Sequence, residues 1–219
     1  MEAIATSCLS HCRISGWRAQ FGNPTGWLGS LVGHLMAATN KDRSQWVLSL
    51  LDLQPQDRVL EVGFGSGMDI LRVSRIVKDG LVAGIDHSEV MLRQAARRNA
   101  AALRSGRVEL RQSAMPQVPY PDGSFDKAFS INAVQFWPDV VEGLRELRRV
   151  LRPGGLVATA LQPRHRGASK ADADRAGREL RLALDAAGFE EVRVEIFPSR
   201  PAPTVCVLGW AAALSGSPR

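Results

Sequence analysis

Residues Val59-Leu60-Glu61-Val62-Gly63-Phe64-Gly65-Ser66-Gly67-Met68-Asp69-Ile70 constrain the fold more than any other stretch. A short apolar run containing an acid meets glycines at Gly63, Gly65 and Gly67, and an amphipathic segment follows. The pattern predicts a buried strand, a sharp turn without side chains, and a helix whose N-terminus faces that turn. Glycine permits the tight backbone and lets a flat ligand lie against it. Exposed N–H groups at the helix start favour a polar or anionic group on that ligand. The turn is therefore a nucleotide-type cradle. Its spacing departs from the dinucleotide fingerprint G-x-G-x-x-G, whose third glycine packs helix against strand. That third position is Met68 here.

Beyond the turn the chain alternates helices and strands. A helix is expected from Ser66 to Val77, broken by Asp79-Gly80, and then a strand Leu81–Ile85 ending at Asp86. Parallel winding brings strand carboxyl ends to one crevice, so Asp86 faces the cradle, where a carboxylate can accept from adjacent ribose hydroxyls. The alternative is an N-cap for a helix His87–Leu103, which Ser88 fills equally well. A strand Arg107–Arg111 closes with Gln112-Ser113-Ala114-Met115, and a proline-rich loop runs from Pro116 to a Pro121-Asp122-Gly123 turn. A fourth strand Lys127–Ile131 and a helix Val140–Leu151 follow, stopping at Arg152-Pro153-Gly154-Gly155. Then come a strand Leu156–Leu161, a basic loop 162–170, a helix Ala171–Ala187 capped by Gly188, and strands Val192–Phe197 and Thr204–Trp210. The expected fold is α/β: a Rossmann-like, seven-stranded, mainly parallel sheet flanked by helices.

Upstream, residues 1–20 lack periodicity and are expected to be a flexible tail. Residues 21–54 read as an N-terminal helical lid: a Gly/Pro turn at 21–26, an amphipathic run, and a helix Asp42–Leu53 ending before Pro55. An appended helix pair can cover the open carboxyl edge of the sheet. Trp27, Met36 and Trp46 would then offer an apolar wall to a substrate, the alternative being a cover for a hydrophobic sheet face. Residues 55–219 form the sheet domain, and the whole is expected to be one structural domain.

The 219 residues carry a formal net charge of +6. The cations are mostly arginines at helical spacing, such as Arg145-Arg148-Arg149-Arg152, which suits solvated faces better than a phosphate track. No apolar run reaches the roughly 18–20 residues of a membrane span. The start lacks the basic-then-apolar order of a secretory signal, so a cytoplasmic location is expected. Cys8, His11 and Cys12 have no second ligand pair at matching spacing, and no metal is expected. Cys206 sits in an apolar run and reads as a core residue.

Taken in order, these pieces resemble the class I S-adenosylmethionine (SAM) methyltransferases of the ubiquinone/menaquinone-methyltransferase-like group. Glu61 to Gly67 is similar to the family's motif I, Glu-x-Gly-x-Gly-x-Gly. Gly84-Ile85-Asp86-His87-Ser88 with Met91 resembles its Gly-x-Asp-x-Ser-x-x-Met segment. Ser113-Ala114 with Pro119 to Asp126 is similar to its loop before the fourth strand, and Leu144 to Gly155 to its Glu-x-x-Arg-Val-Leu-Lys-Pro-Gly-Gly segment. The resemblance implies SAM as cofactor and S-adenosylhomocysteine as product. It places Gly63, Gly65 and Gly67 under the methionine moiety, Glu61 on its ammonium, Asp86 on the ribose, and His87 and Met91 beside the adenine. Ser113 and Ala114 would meet the adenine edge, where many members carry Asp-Ala. Asn132 and Gln135 would lie near the sulfonium and the substrate entrance, strand-end capping being the alternative for Asn132.

Methyl transfer is an in-line displacement that positioning can accelerate strongly. A hydroxyl acceptor would gain from a general base, and His34 on the lid and His165 after the fifth strand are the candidates. The amino-group-methylating signature, Asn or Asp followed by Pro-Pro and an aromatic, is absent at Asn132-Ala133-Val134-Gln135. The expectation is a small-molecule acceptor, with no DNA partner. The alternatives are an RNA-directed methyltransferase, which the basic surface keeps open though RNA is disfavoured, and a SAM-binding protein without catalysis. An NAD-type oxidoreductase is disfavoured by the missing third glycine. A homodimer is compatible with all of these.

Overall fold

A computed structural model describes residues 41–212. The expected tail 1–20 and the part of the lid before residue 41, with Trp27, His34, Met36 and the Cys8-His11-Cys12 cluster, lie outside the described residues. The strands are β1 (Arg58–Val62), β2 (Leu81–Asp86), β3 (Val108–Gln112), β4 (Phe125–Ile131), β5 (Leu151–Leu161), β6 (Phe189–Phe197) and β7 (Thr204–Ala211). They form one seven-stranded sheet in the order β3-β2-β1-β4-β5-β7-β6. All neighbours pair in parallel except β7, which runs against both β5 and β6. The α-helices are α1 (Lys41–Leu50), α2 (Met68–Ile76), α3 (Glu89–Arg98), α4 (Ala100–Arg104), α5 (Val140–Val150) and α6 (Lys170–Ala187).

The central strands are covered on both faces, as parallel strands require. Side chains alternate along β1, so Leu60 and Val62 enter one core with Leu144 and Leu147 of α5 and Leu180 and Leu184 of α6. Val59 enters the other, with Ile70 and Val73 of α2 and Met91 and Ala95 of α3. Cys206 is buried in that second core, and burial pushes its thiol pKa up. Local signals match the elements they begin and end. Asp139 accepts from Glu142 N–H at the start of α5. Ser169 and Asp172 make a reciprocal capping box on α6, which ends at left-handed Gly188.

Of the expected lid, residues 41–50 are α1, and this helix is packed rather than free. Val47 and Leu48, with Leu51 beyond the helix, share the second core with Phe64 and Phe129. Two other expectations are corrected. The helix expected over 87–103 breaks at Asn99, whose Nδ2 donates to Ala95 O and to Gly67 O, tying the end of α3 to the glycine turn. β5 starts at Leu151 rather than Leu156: Leu151 pairs with Phe125, and an irregularity separates that pair from Lys127–Leu156.

Candidate active site

The strand order reverses at β1 and β4, and in open α/β sheets ligands bind outside the carboxyl ends of the strands at such a point. The glycine turn lies there. Gly63 N–H donates to Ile85 O (2.8 Å), Gly65 N–H to Asp86 Oδ2 (2.8 Å) and Gly67 N–H to Phe64 O (2.9 Å). Gly65 and Gly67 have φ of 51° and 74°, which a side chain resists. They differ in surroundings. A Cβ at Gly67 would lie 2.8 Å from the Cα of Ala95, whereas one at Gly65 would meet nothing within 4 Å among the described residues. Gly67 lets α2 and α3 approach; Gly65 borders open space.

Glu61 is 3% exposed, and its Oε2 has no hydrogen-bond partner among the described residues. Burial first, then the carboxylates of Asp69 and Asp86, raise its pKa well above the usual range, against smaller contributions from Arg72 and the Ile70 N–H. A buried carboxylate with an unused oxygen and two acidic neighbours is costly unless a cation with N–H donors joins it. An α-ammonium supplies both, so these residues fit the amino-acid end of SAM. Asp69 is already engaged, by Arg72 and by Ser44 Oγ at 2.9 Å.

Asp86 ends β2 with Oδ2 on Gly65 N–H and Oδ1 on Ser88 N–H (2.9 Å), while Ser88 Oγ is the acceptor that caps α3. A carboxylate has about four lone-pair sites, so two remain for further donors. His87 Nδ1 stands 3.6 Å from Asp86 Oδ1 with its ring largely exposed, and Met91 is buried one turn into α3. Ser113 N–H donates to Asp86 O, and Ser113 Oγ to Gln117 O, so the chain after β3 returns beside β2 with Ala114 exposed. These residues converge at one edge.

Asn132 adopts φ 53° at the end of β4, and its Oδ1 accepts from Gln162 N–H at 2.8 Å. Gln135, in the 3-10 turn Val134–Phe136, donates from Nε2 to Asn132 O; its Oε1 is buried without a partner among the described residues. His165 Nε2 stands 3.7 Å from Asp172 Oδ2, at the capping box of α6. Trp46 stacks on Phe197 at 5.2 Å. Sequence reasoning missed Arg43 and Gln162, which are 4% and 3% exposed and bonded to each other across 119 residues. One signal existed: Arg43 sits four residues before Val47, a charge on the apolar face of α1. Among the described residues no group of three His, Cys, Asp or Glu is arranged to hold a metal, and no helix is long and apolar enough to cross a membrane.

A family model described as a methyltransferase domain matches residues 59–155, which include Glu61, the glycine turn, Asp86, Asn132 and Gln135. The uncharacterized methyltransferase YdaC of Bacillus subtilis (strain 168) is 35% identical over 176 residues, 80% of this chain and 95% of that protein. The 27-O-demethylrifamycin SV methyltransferase of Amycolatopsis mediterranei (strain S699) is 35% identical over 109 residues, 50% of this chain and 40% of that one. The crystal structure of a SAM-dependent methyltransferase from Aquifex aeolicus shares the fold, with a TM-score of 0.67 at 24% identity over 84% of this chain and 98% of that one.

Proposed function

Because this chain belongs to the class I SAM-dependent methyltransferases, we propose that it methylates a small-molecule acceptor held beyond the carboxyl ends of β4 and β5. The observation that carries the cofactor's placement is the buried, unpartnered Glu61 Oε2 beside the glycine turn. Glu61 would hold the ammonium, the backbone of 63–67 the methionine moiety, and Asp86 the ribose with its remaining lone pairs. His87 and Met91 would flank the adenine, with Ser113 and Ala114 at its edge. When bound, the cofactor would supply an electrophilic methyl group to a nucleophilic atom of the acceptor.

What the chain adds is alignment and exclusion of water. His165 faces Asp172 at the start of α6, so we assign it to that helix end rather than to proton transfer. Two features support a small acceptor. The relative named for 27-O-demethylrifamycin SV acts, by that name, on a small molecule. Only residues 162–169 separate β5 from α6, leaving no inserted domain there for a macromolecule. An RNA acceptor has one feature in its favour, a groove lined by Arg75, Lys78, Arg98 and Arg107. Arg98 and Arg107 already donate to the carbonyls of Ser66 and Ser74, which weakens it as a phosphate track.

Calorimetry with SAM and S-adenosylhomocysteine, followed by methyl transfer to a panel of small hydroxyl, amine and thiol compounds with and without RNA, tests the proposal. Binding on the order of micromolar with turnover of a small compound is expected. Turnover confined to RNA, with binding that falls steeply as salt rises, would replace it.

A further inference from the structure

Arg43 lies within α1, yet its side chain is buried, and it carries more donors than it uses. Its Nη1 donates to Gln162 Oε1 just beyond the end of β5, while Nε and Nη2 are buried with no partner among the described residues. Those two nitrogens form one edge of the guanidinium, with parallel N–H bonds that match the two oxygens of a carboxylate. Arg164 approaches the same point: its Nε donates to Gln162 Oε1 at 2.8 Å. Two cationic side chains therefore converge on one neutral oxygen.

Gln162 is held from two sides. The two N–H groups of its Nε2 are shared among Ser199 Oγ, Arg200 O and Ala202 O, all within 3.1 Å, and its backbone N–H donates to Asn132 Oδ1. Among the described residues the carboxylate that acts on Arg43 is Asp69, itself bonded to Arg72 and Ser44. Burial and repulsion from Arg164 lower the Arg43 pKa to about 10, with Asp69 opposing. A buried cation that stays charged without a facing anion is costly. The order β2-β1-β4-β5 also sets its place: Gln162 lies two strands from Glu61, roughly 10 Å at ~4.8 Å per strand, on the side away from Asp86. That is the side of the crevice assigned above to the acceptor.

We propose that the Nε/Nη2 edge of Arg43, with Arg164 beside it, receives a carboxylate carried by the methyl acceptor. The enzyme's substrate is then an organic acid rather than a neutral hydrocarbon or quinone. This rests on the small-molecule function proposed above and narrows its substrate class.

The test uses the full chain loaded with S-adenosylhomocysteine and sodium benzoate as the probe, in calorimetry with wild type, Arg43→Leu and Arg43→Lys. Saturable one-site benzoate binding is expected in the wild type, weakened about tenfold or more in Arg43→Leu. Arg43→Lys should fall between them, because a point charge cannot fork. S-adenosylhomocysteine affinity should stay within about twofold throughout. The thermal midpoint of Arg43→Leu should equal or exceed that of the wild type, since an unpaired buried charge is gone. If that variant fails to fold, Arg43→Lys alone still reads the loss. Unchanged benzoate affinity in the variants, or no benzoate binding to the loaded wild type, overturns the proposal. So does a large loss of S-adenosylhomocysteine affinity in Arg43→Leu with 5′-methylthioadenosine binding intact, which assigns the fork to the cofactor's own carboxylate. Failure of the wild type to bind S-adenosylhomocysteine at all is a separate result and removes the cofactor crevice with everything built on it.

Discussion

The backbone N–H of Gly65 donates to Asp86 Oδ2 at 2.8 Å, joining the glycine turn to the end of β2 across 21 residues of sequence. The same carboxylate accepts from Ser88 N–H. It thus sets the shape of the glycine turn through the protein's own bonds. Each such bond to a charged group contributes about 1.5–3 kcal/mol. Asp86→Ala should therefore lose about 3 kcal/mol of stability in denaturant unfolding as well as S-adenosylhomocysteine binding in calorimetry. A variant of lowered stability that binds with wild-type affinity would confine Asp86 to shaping the turn.

Glu61 titrates against the fold. Its folded pKa lies above its unfolded one, so the stability it contributes is full below the unfolded value and lost as pH rises through the raised one. Glu61→Gln removes that loss. The unliganded variant should match the wild type in acid and exceed it in thermal midpoint toward neutral pH, while binding S-adenosylhomocysteine about tenfold or more weakly. On the acid side of that titration, binding to the wild type should release a proton. Calorimetry in buffers of different ionisation heat reads this, and Glu61→Gln should show none from this site.

Gly65→Ala and Gly67→Ala should separate cofactor binding from folding. Both place a side chain at positive φ, about 1–2 kcal/mol of strain. At Gly67 the new Cβ also meets Ala95, adding about 1–3 kcal/mol of overpacking. Gly67→Ala should show the larger fall in thermal midpoint. Gly65→Ala should stay folded and lose affinity for S-adenosylhomocysteine, because its methyl enters the open space the ligand needs.

Arg149 clamps the proline-rich loop. It reaches Val118 O, Tyr120 O, Asp122 and Glu146, and the hydrogen bonds to Glu146 and Asp122 push its own pKa up. The Glu146 carboxyl is correspondingly lowered by its bond to Arg149. Arg149→Met should destabilise the chain by about 1–3 kcal/mol in chemical denaturation, discounted by the water that reaches this part-exposed group. Arg149→Lys should recover little of the loss, since one ammonium cannot reach all four partners.

The central strands were legible because they are apolar runs punctuated by glycine, proline and acids near their carboxyl ends. Glu61, Asp86 and Asn132 all stand at such ends, which is why a one-dimensional reading brought them to one edge. The break at Asn99 was not legible, since it depends on a side-chain bond to Gly67 from a distant turn. Nor was the early start of β5. Arg152-Pro153-Gly154-Gly155 carries every local signal of a turn, and the strand assignment comes from pairing of Leu151 with Phe125. Arg43 was hidden by the habit of counting arginine as solvated; its burial follows from a partner, Gln162, that no periodicity in α1 announces.

The side chain of Gln162 is held by residues 199–202, which lead into β7, and β7 must slot between β5 and β6. A chain lengthening from its amino end completes the segments for the glycine turn and Asp86 long before those residues exist. On the ribosome the nucleotide half of the crevice can take shape early, whereas the wall beside Arg43 is finished only when the closing hairpin emerges. A protein interrupted before β7 would carry the glycine turn and Asp86 but lack the groups that hold the Gln162 side chain.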